Sequence, residues 1–189
     1  MFALSLNATN GAGIGGGNSG TGTVKIYGGT VTVTNNSFGA SGAGIGGGQN
    51  GAGDVEIRGG TVTAEGSSNG AAIGGGMGAD GIVKISGGKV SAVSKDGAAA
   101  AIGGGGKNSS KQSGGANITI SGGVIDASAD YGTPIGSGCG YNSSPREAVV
   151  TISGGTITTS CTQDSDGTEI GARSGNGAAT VTITGGNPL

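Results

Sequence analysis

Residues 42–48 read Gly42-Ala-Gly-Ile-Gly-Gly-Gly48, and this stretch decides the fold because it returns along the whole chain. The same seven residues begin at Gly11, and a copy with one alanine in place of glycine begins at Gly70. Weaker copies follow, so that the central isoleucines stand at Ile14, Ile45, Ile73, Ile102, Ile135 and Ile170. Their spacing of 28 to 35 residues predicts a solenoid, in which each repeat buries its apolar face against the next.

A second motif alternates with the first, and its clearest copy is Val55-Glu-Ile-Arg-Gly-Gly-Thr-Val-Thr-Ala64. Apolar and polar residues alternate on both sides of the Gly-Gly pair, which predicts two short strands joined by a sharp corner. With the isoleucine segment as a third strand, the pattern predicts an all-β fold. We expect a right-handed parallel β-helix of about six triangular coils of about 30 residues each. A β-sandwich is the alternative fold.

The same register predicts two internal ladders of apolar side chains. The isoleucines of the glycine-rich motif form one ladder. The second ladder comprises Val31, Val62, Val90, Ile125 and Ile157. The 189 residues include 49 glycines but only three prolines and no strict Gly-X-Y period, which excludes collagen. We expect one β-helix domain over residues 1–189, either part of a longer array or a unit that stacks end to end, because the last strand has the phase that precedes the first.

The charged residues are few and dispersed, with a net charge of −2. We expect no nucleic-acid partner, because the chain has no basic patch, and no membrane insertion, because it has no long apolar run. The N-terminal residues lack a basic region followed by an apolar run, so we expect no signal peptide within this sequence. Histidine is absent, and Asp126 and Asp130 are the only close acidic pair on a predicted strand and its exit. We therefore expect no enzyme activity and no cofactor. Cys139 and Cys161 fall at different corners of the coil, which disfavours a disulfide.

Two surface patterns are candidates for binding. A possible binding face carries outward threonine and serine side chains on the second strand of each coil: Thr30, Thr32, Thr61, Thr63, Ser91, Thr156 and Thr158. Such ladders can bind sugars or ice, although Lys89, Val124 and Asp126 interrupt this one. A possible smooth packing face carries glycines of the third strand: Gly13, Gly15, Gly44, Gly46, Gly74, Gly76, Gly103 and Gly105. Glycine there permits either a tight corner or close approach of another backbone.

Two further features lie in loops. Asp164, Asp166 and Glu169 resemble the beginning of a calcium loop, but the later ligand positions do not follow, so we expect no metal site beyond these weak candidates. The longest loops between coils begin at Gly106 and Gly140 and fall at the same corner of neighbouring coils. They predict a local protrusion, which is where solenoids usually carry function.

The repeat, most clearly Gly42 to Gly48 and Thr61-Val-Thr-Ala64, resembles the repetitive β-helical regions of surface or secreted proteins of Gram-positive, often gut-dwelling, bacteria. It is more loosely similar to β-helical carbohydrate-binding domains. The resemblance implies an extracellular or cell-surface protein. It also implies a structural or adhesive module whose partner is a copy of itself, flanking repeats or a surface polysaccharide. Carbohydrate binding is the alternative function, and ice binding is a more remote one.

Overall fold

The structure, a computed structural model, describes residues 2–6, 10–35, 41–107, 113–139, 146–163, 168–172 and 178–185. Within these ranges every regular element is a β-strand, and every strand pairs in parallel with its neighbours. The strands lie on three sides of a continuous coil, as the alternating motifs predict.

The three sides are built from sixteen strands. The first side carries β3 (Gly22–Ile26), β6 (Gly53–Ile57), β9 (Gly81–Ile85) and β16 (Ala179–Ile183). The second side carries β1 (Phe2–Leu6), β4 (Thr30–Asn35), β7 (Thr61–Ser67) and β10 (Lys89–Lys95). Two long strands, β12 (Ala116–Ala129) and β14 (Ala148–Cys161), run through both of these sides. The third side carries β2 (Ile14–Gly15), β5 (Ile45–Gly46), β8 (Ile73–Gly74), β11 (Ile102–Gly103), β13 (Ile135–Gly136) and β15 (Ile170–Gly171).

These strands stack into two sheets. The first and second sides form one bent sheet of ten strands, joined through β12 and β14, and the third side forms a sheet of six strands. A complete turn visits all three sides, and the chain makes five such turns between β3 and β15. The partial turn of β1 and β2 precedes them, and β16 follows. The β-helix prediction is confirmed, and the expected six coils are five complete turns with an incomplete turn at each end.

The two predicted internal ladders are present. Ile14, Ile45, Ile73, Ile102, Ile135 and Ile170 align strand by strand on the third side. Val31, Val62, Val90, Ile125 and Ile157 align in the same way on the second side. The central members are fully buried, and alanines such as Ala64 and Ala92 fill the space beside them. The core therefore consists of small and β-branched side chains, which explains how the fold forms with so few aromatic residues.

The Gly-Gly pairs form the corner between the first and second sides. The second glycine of each pair has a positive φ of 82° to 101°: Gly29, Gly60, Gly88, Gly123 and Gly155. Residues with a Cβ rarely adopt this conformation. The corner therefore requires glycine for its backbone geometry, which is why the pair recurs in every turn.

Candidate functional site

A groove runs along the corner where the third side leads into the first. Two hollows form it, with volumes of about 460 Å³ and 400 Å³, and both are lined by Asp80 and Arg146. We call it the corner groove. Its other described lining residues are Thr21, Asn50, Ala52, Gly78 and Ala79 in one hollow and Gly81, Ile82, Gly115, Ala116, Asn117, Glu147 and Val149 in the other.

The stacking of the turns explains the two hollows. The residue just before each first-side strand forms a column, in which backbone hydrogen bonds connect the rungs of Ala52, Asp80, Gly115 and Glu147. Ala52 and Gly115 lie on either side of Asp80 and have little or no side chain. The Asp80 carboxylate therefore projects between two shallow depressions, one toward each end of the stack.

Asp80 and Arg146 form a loose ion pair between separate turns. Nη1 of Arg146 lies 3.4 Å from both carboxylate oxygens of Asp80, and the two side chains are 39% and 49% exposed. Asp80 Oδ1 also accepts a hydrogen bond from the Gly115 backbone N–H at 2.8 Å. A Cβ built at Gly115 would lie 2.8 Å from the carbonyl oxygen of Glu147 on the next rung and 3.4 Å from Asp80 Oδ1. The close stacking on Glu147 therefore requires glycine at this position.

The corner groove coincides with the predicted loop protrusion. Gly115 ends the loop that follows Gly106, and Arg146 and Glu147 end the loop that follows Gly140. The parts of these loops at residues 108–112 and 140–145 lie outside the described residues. The predicted loop corner and the corner groove are thus the same corner, but the sequence did not indicate Asp80 or Arg146. Loop length was its only signal, because neither residue belongs to a repeated motif.

The threonine columns have the predicted register. Thr30 aligns with Thr61 and Thr32 with Thr63, and the same two columns end at Thr156 and Thr158. Ser91 continues the second column. Lys89, Val124 and Asp126 occupy the intervening positions as expected, with Val124 52% exposed. The face is therefore regular in its backbone but mixed in its side chains.

The prediction of a smooth packing face of glycines is wrong. Of Gly13, Gly15, Gly44, Gly46, Gly74, Gly76, Gly103 and Gly105, only Gly15, on the first rung, is exposed. A Cβ at Gly13 would lie 2.6 Å from Cγ1 of Val33, so that this position faces the core. A Cβ at Gly46 would lie 2.0 Å from the carbonyl oxygen of Gly74 on the next rung. Close stacking inside the solenoid therefore accounts for these glycines.

The weak metal candidates are not brought together within the described part of the chain. Asp164 and Asp166 lie outside it. Glu169 is half-buried, and its Oε2 atom is shielded from solvent without a hydrogen-bond partner. No group of three or more His, Cys, Asp or Glu side chains that could hold an ion occurs among the described residues.

Several acidic side chains make local structural contacts. Asp130 accepts hydrogen bonds from the Asp96 backbone N–H at 3.0 Å and from the Thr162 hydroxyl at 2.6 Å, which connects three successive turns. Asp126 is exposed on the second side. The two members of the predicted acidic pair therefore differ, since one holds loops together and the other faces solvent.

A second ionic cluster lies on the first side. The Arg58 Nε atom donates to Glu56 Oε1 at 2.6 Å, and the Arg58 guanidinium lies 5.0 Å from the centroid of the Tyr27 ring. Tyr27 is 61% exposed. Pairs this exposed contribute little to stability in water. The cluster is therefore a surface feature that adds little to the stability of the fold.

Cys139 and Cys161 are not joined by a disulfide, as their separate corners predict. Cys139 is buried, and Cys161 is half-buried with its Sγ 3.7 Å from the carbonyl oxygen of Asp130. None of the described residues forms an apolar helix of membrane-spanning length.

Comparison with known proteins agrees with the fold. The family model of the beta helix repeat matches residues 5–18, 24–49, 55–77 and 83–106. Each of the last three segments begins in a first-side strand and ends after a third-side strand, so that one match spans one turn. No curated protein and no solved structure matches the chain. The chain is therefore a parallel β-solenoid in which residues 5–18, 24–49, 55–77 and 83–106 match the beta helix repeat.

Proposed function

We propose that the chain is a non-catalytic structural and adhesive module of an extracellular or cell-surface protein, and that it associates end to end with further coils of its own kind. The observation that carries this proposal is the apolar edge at β16. Val181 and Ile183 are 40% and 64% exposed there, although their columns are buried in the middle of the stack. The extracellular location rests on the resemblance of the repeat to those of surface and secreted proteins.

The occupant of this edge would be another first-side strand in the same register. Strand β16 pairs with β14, with Val181 opposite Val150 and Ile183 opposite Ile152. At the opposite end of the bent sheet, β3 pairs with β6. A second copy, or a flanking repeat, would place β3 on β16 and cover its apolar side chains with Val24 and Ile26. Such head-to-tail contact is heterologous and open-ended, and strand pairing supplies its hydrogen bonds.

Sedimentation velocity over a concentration series tests this association. We expect the weight-average sedimentation coefficient of the wild-type chain to rise with concentration. Ile183→Lys should suppress the rise, because association would then have to remove water from the lysine ammonium group against apolar side chains. Val124→Lys is the matched control, since it places the same charge on an exposed side position that is not at an end. End-to-end association is contradicted if the sedimentation coefficient rises equally with concentration in all three proteins. It is also contradicted if the coefficient of the wild type does not rise.

Carbohydrate binding is the second candidate function. The corner groove supports it, since carboxylate, guanidinium, amide and hydroxyl groups converge on a concave surface. The threonine columns support it as a second, flatter candidate surface. Co-sedimentation with insoluble polysaccharides is the test. A chain that stays wholly in the supernatant contradicts carbohydrate binding and leaves the association of the ends unaffected.

A further inference from the structure

We infer that the corner groove binds the chain of an uncharged polysaccharide, with Asp80 and Arg146 holding neighbouring hydroxyl groups of one sugar unit. This inference rests on the second candidate function and names its site and ligand class. It concerns two residues that belong to no repeated motif and that only the stacking of the turns brings together.

The course of the groove favours a linear ligand. Its lining residues come from the corners before β3, β6, β9, β12 and β14, so that the groove crosses five consecutive turns along the solenoid axis. Strands stack about 4.8 Å apart, which makes this path about 19 Å long. The rung spacing is close to the length of one sugar unit in an extended polysaccharide. A glycan lying along the axis would therefore meet equivalent positions at successive turns.

The ion pair has the chemistry that two adjacent hydroxyl groups require. A hydroxyl donates to a carboxylate and accepts from a guanidinium, so Asp80 and Arg146 together satisfy a pair of hydroxyls. Asp80 is already oriented by the Gly115 N–H. The contacts of 3.4 Å between the two side chains are longer than a good charged hydrogen bond. Both groups therefore retain capacity for shorter hydrogen bonds to a ligand.

The charges of the groove select an uncharged glycan. Among the described lining residues, Asp80 and Glu147 supply two negative charges against the one positive charge of Arg146. A polymer of uronic acids would place its carboxylates near these two, which is unfavourable. Ile82, which is 39% exposed in the same hollow, offers an apolar contact for the C–H face of a sugar ring.

Native gels that contain a soluble polysaccharide measure the binding. The neutral probes are β-glucan, xylan and mannan, and the acidic probe is polygalacturonate. Mobilities are compared with a gel that lacks polysaccharide, so that charge changes in the variants cancel. We expect at least one neutral probe to retard the wild-type chain. Co-sedimentation with an insoluble form of that glycan should persist in 1 M NaCl, where the Debye length is about 3 Å and charge attraction is screened.

Arg146→Ala and Asp80→Asn should each weaken binding about tenfold or more, because each removes a charged hydrogen-bonding group from the ligand. Asp80→Asn keeps an acceptor for the Gly115 N–H and so preserves the loop. Arg58→Ala is the matched control, since it also removes a guanidinium from an exposed ion pair on the solenoid surface. It should bind like the wild type. Melting temperatures of the three variants confirm that each is folded.

Four results overturn the inference. The first is that Arg146→Ala and Asp80→Asn bind as strongly as the wild type, and the second is that Arg58→Ala loses as much binding as they do. The third is that polygalacturonate alone retards the wild type, and the fourth is that no probe retards it. Loss of binding in Thr63→Val, with Arg146→Ala unaffected, would move the site to the threonine columns. That result overturns the groove as the site while supporting carbohydrate binding itself.

Discussion

Glycine residues in this chain occupy two contrasting environments. Gly74 has a φ of 135°, and a Cβ there would lie 2.1 Å from the carbonyl oxygen of Gly103 on the next rung. Gly28 lies at an exposed corner, and a Cβ there would meet no atom within 4 Å. Glycine is therefore required at position 74, by the backbone conformation and by the close stacking of the turns. Neither requirement applies at position 28.

We expect Gly74→Ala to destabilise the fold by more than about 2 kcal/mol, since it combines an unfavourable φ with a clash against a backbone oxygen. Gly28→Ala should change stability by no more than about 1 kcal/mol, because the added methyl group has room. Urea denaturation followed by circular dichroism measures both. Equal midpoints for the two variants would show that the third side is less tightly stacked than the structure indicates.

The isoleucine ladder is a second residue-scale feature with a direct test. Ile73 is fully buried between Ile45 and Ile102. Ile73→Asp should cost at least about 3 kcal/mol, because it leaves an uncompensated charge in the middle of the core. Val124→Asp is the control, since Val124 is exposed on the second side. Thermal melts should separate the two variants widely, and an unchanged melt for Ile73→Asp would refute the register.

At the scale of elements, neighbouring strands are held by backbone ladders, and side-chain pairs add little. Glu65 of β7 and Lys95 of β10 form one such pair, with Nζ and Oε1 2.5 Å apart and the lysine side chain 51% exposed. The hydrogen bond to Glu65 raises the pKa of Lys95 above its usual value. Stabilisation from this pair is complete below the unfolded-state pKa of Lys95. It is lost as pH rises through the raised folded-state pKa.

A double-mutant cycle with Glu65→Gln and Lys95→Met measures the coupling between these strands. We expect about 0.5 kcal/mol at neutral pH and low salt, because both partners contact solvent. The coupling should fall in 1 M NaCl and at strongly alkaline pH. A coupling that exceeds about 2 kcal/mol and resists salt would mean that the pair is far less solvated than its exposure indicates.

At the scale of the whole molecule, the solenoid distributes its ionisable groups around three sides. Asp80 pairs with Arg146 at one corner, Glu56 with Arg58 on the first side, and Glu65 with Lys95 on the second. Glycoside cleavage requires two carboxyl groups that act together on one bond. These three carboxylates are each paired with a cation, which supports the proposal above of a surface that binds and does not react.

We therefore expect no release of reducing ends or unsaturated products when the chain is incubated with β-glucan, xylan, mannan or polygalacturonate. Reducing-sugar assays and absorbance of unsaturated uronates measure this directly. Turnover that Asp126→Asn abolishes would contradict the non-catalytic proposal. Asp54→Asn, which changes an exposed carboxylate at the start of a first-side strand, is the matched control.

Most of the fold was predictable because its determinants are local. Alternation within Val55-Glu-Ile57 shows which side chains point inward, and the glycine pair marks the corner. The repeat then places equivalent residues in one column. Exposure of the third-strand glycines was not predictable in this way. Strict alternation assigns Gly13 to the outside, whereas the very short third strands bring both Gly13 and Ile14 toward the core.

The repeat length, the three strands of each turn and the columns of Ile and Val in the core all follow from the pattern of residues along the chain. Periodicity carries this information, since a solenoid stacks each residue on its equivalent one repeat away. The contact between Asp80 and Arg146, 66 residues later in the chain, is visible only in the folded molecule. That contact skips a turn and passes over Gly115, so it depends on rung spacing and loop course, which no periodic pattern encodes.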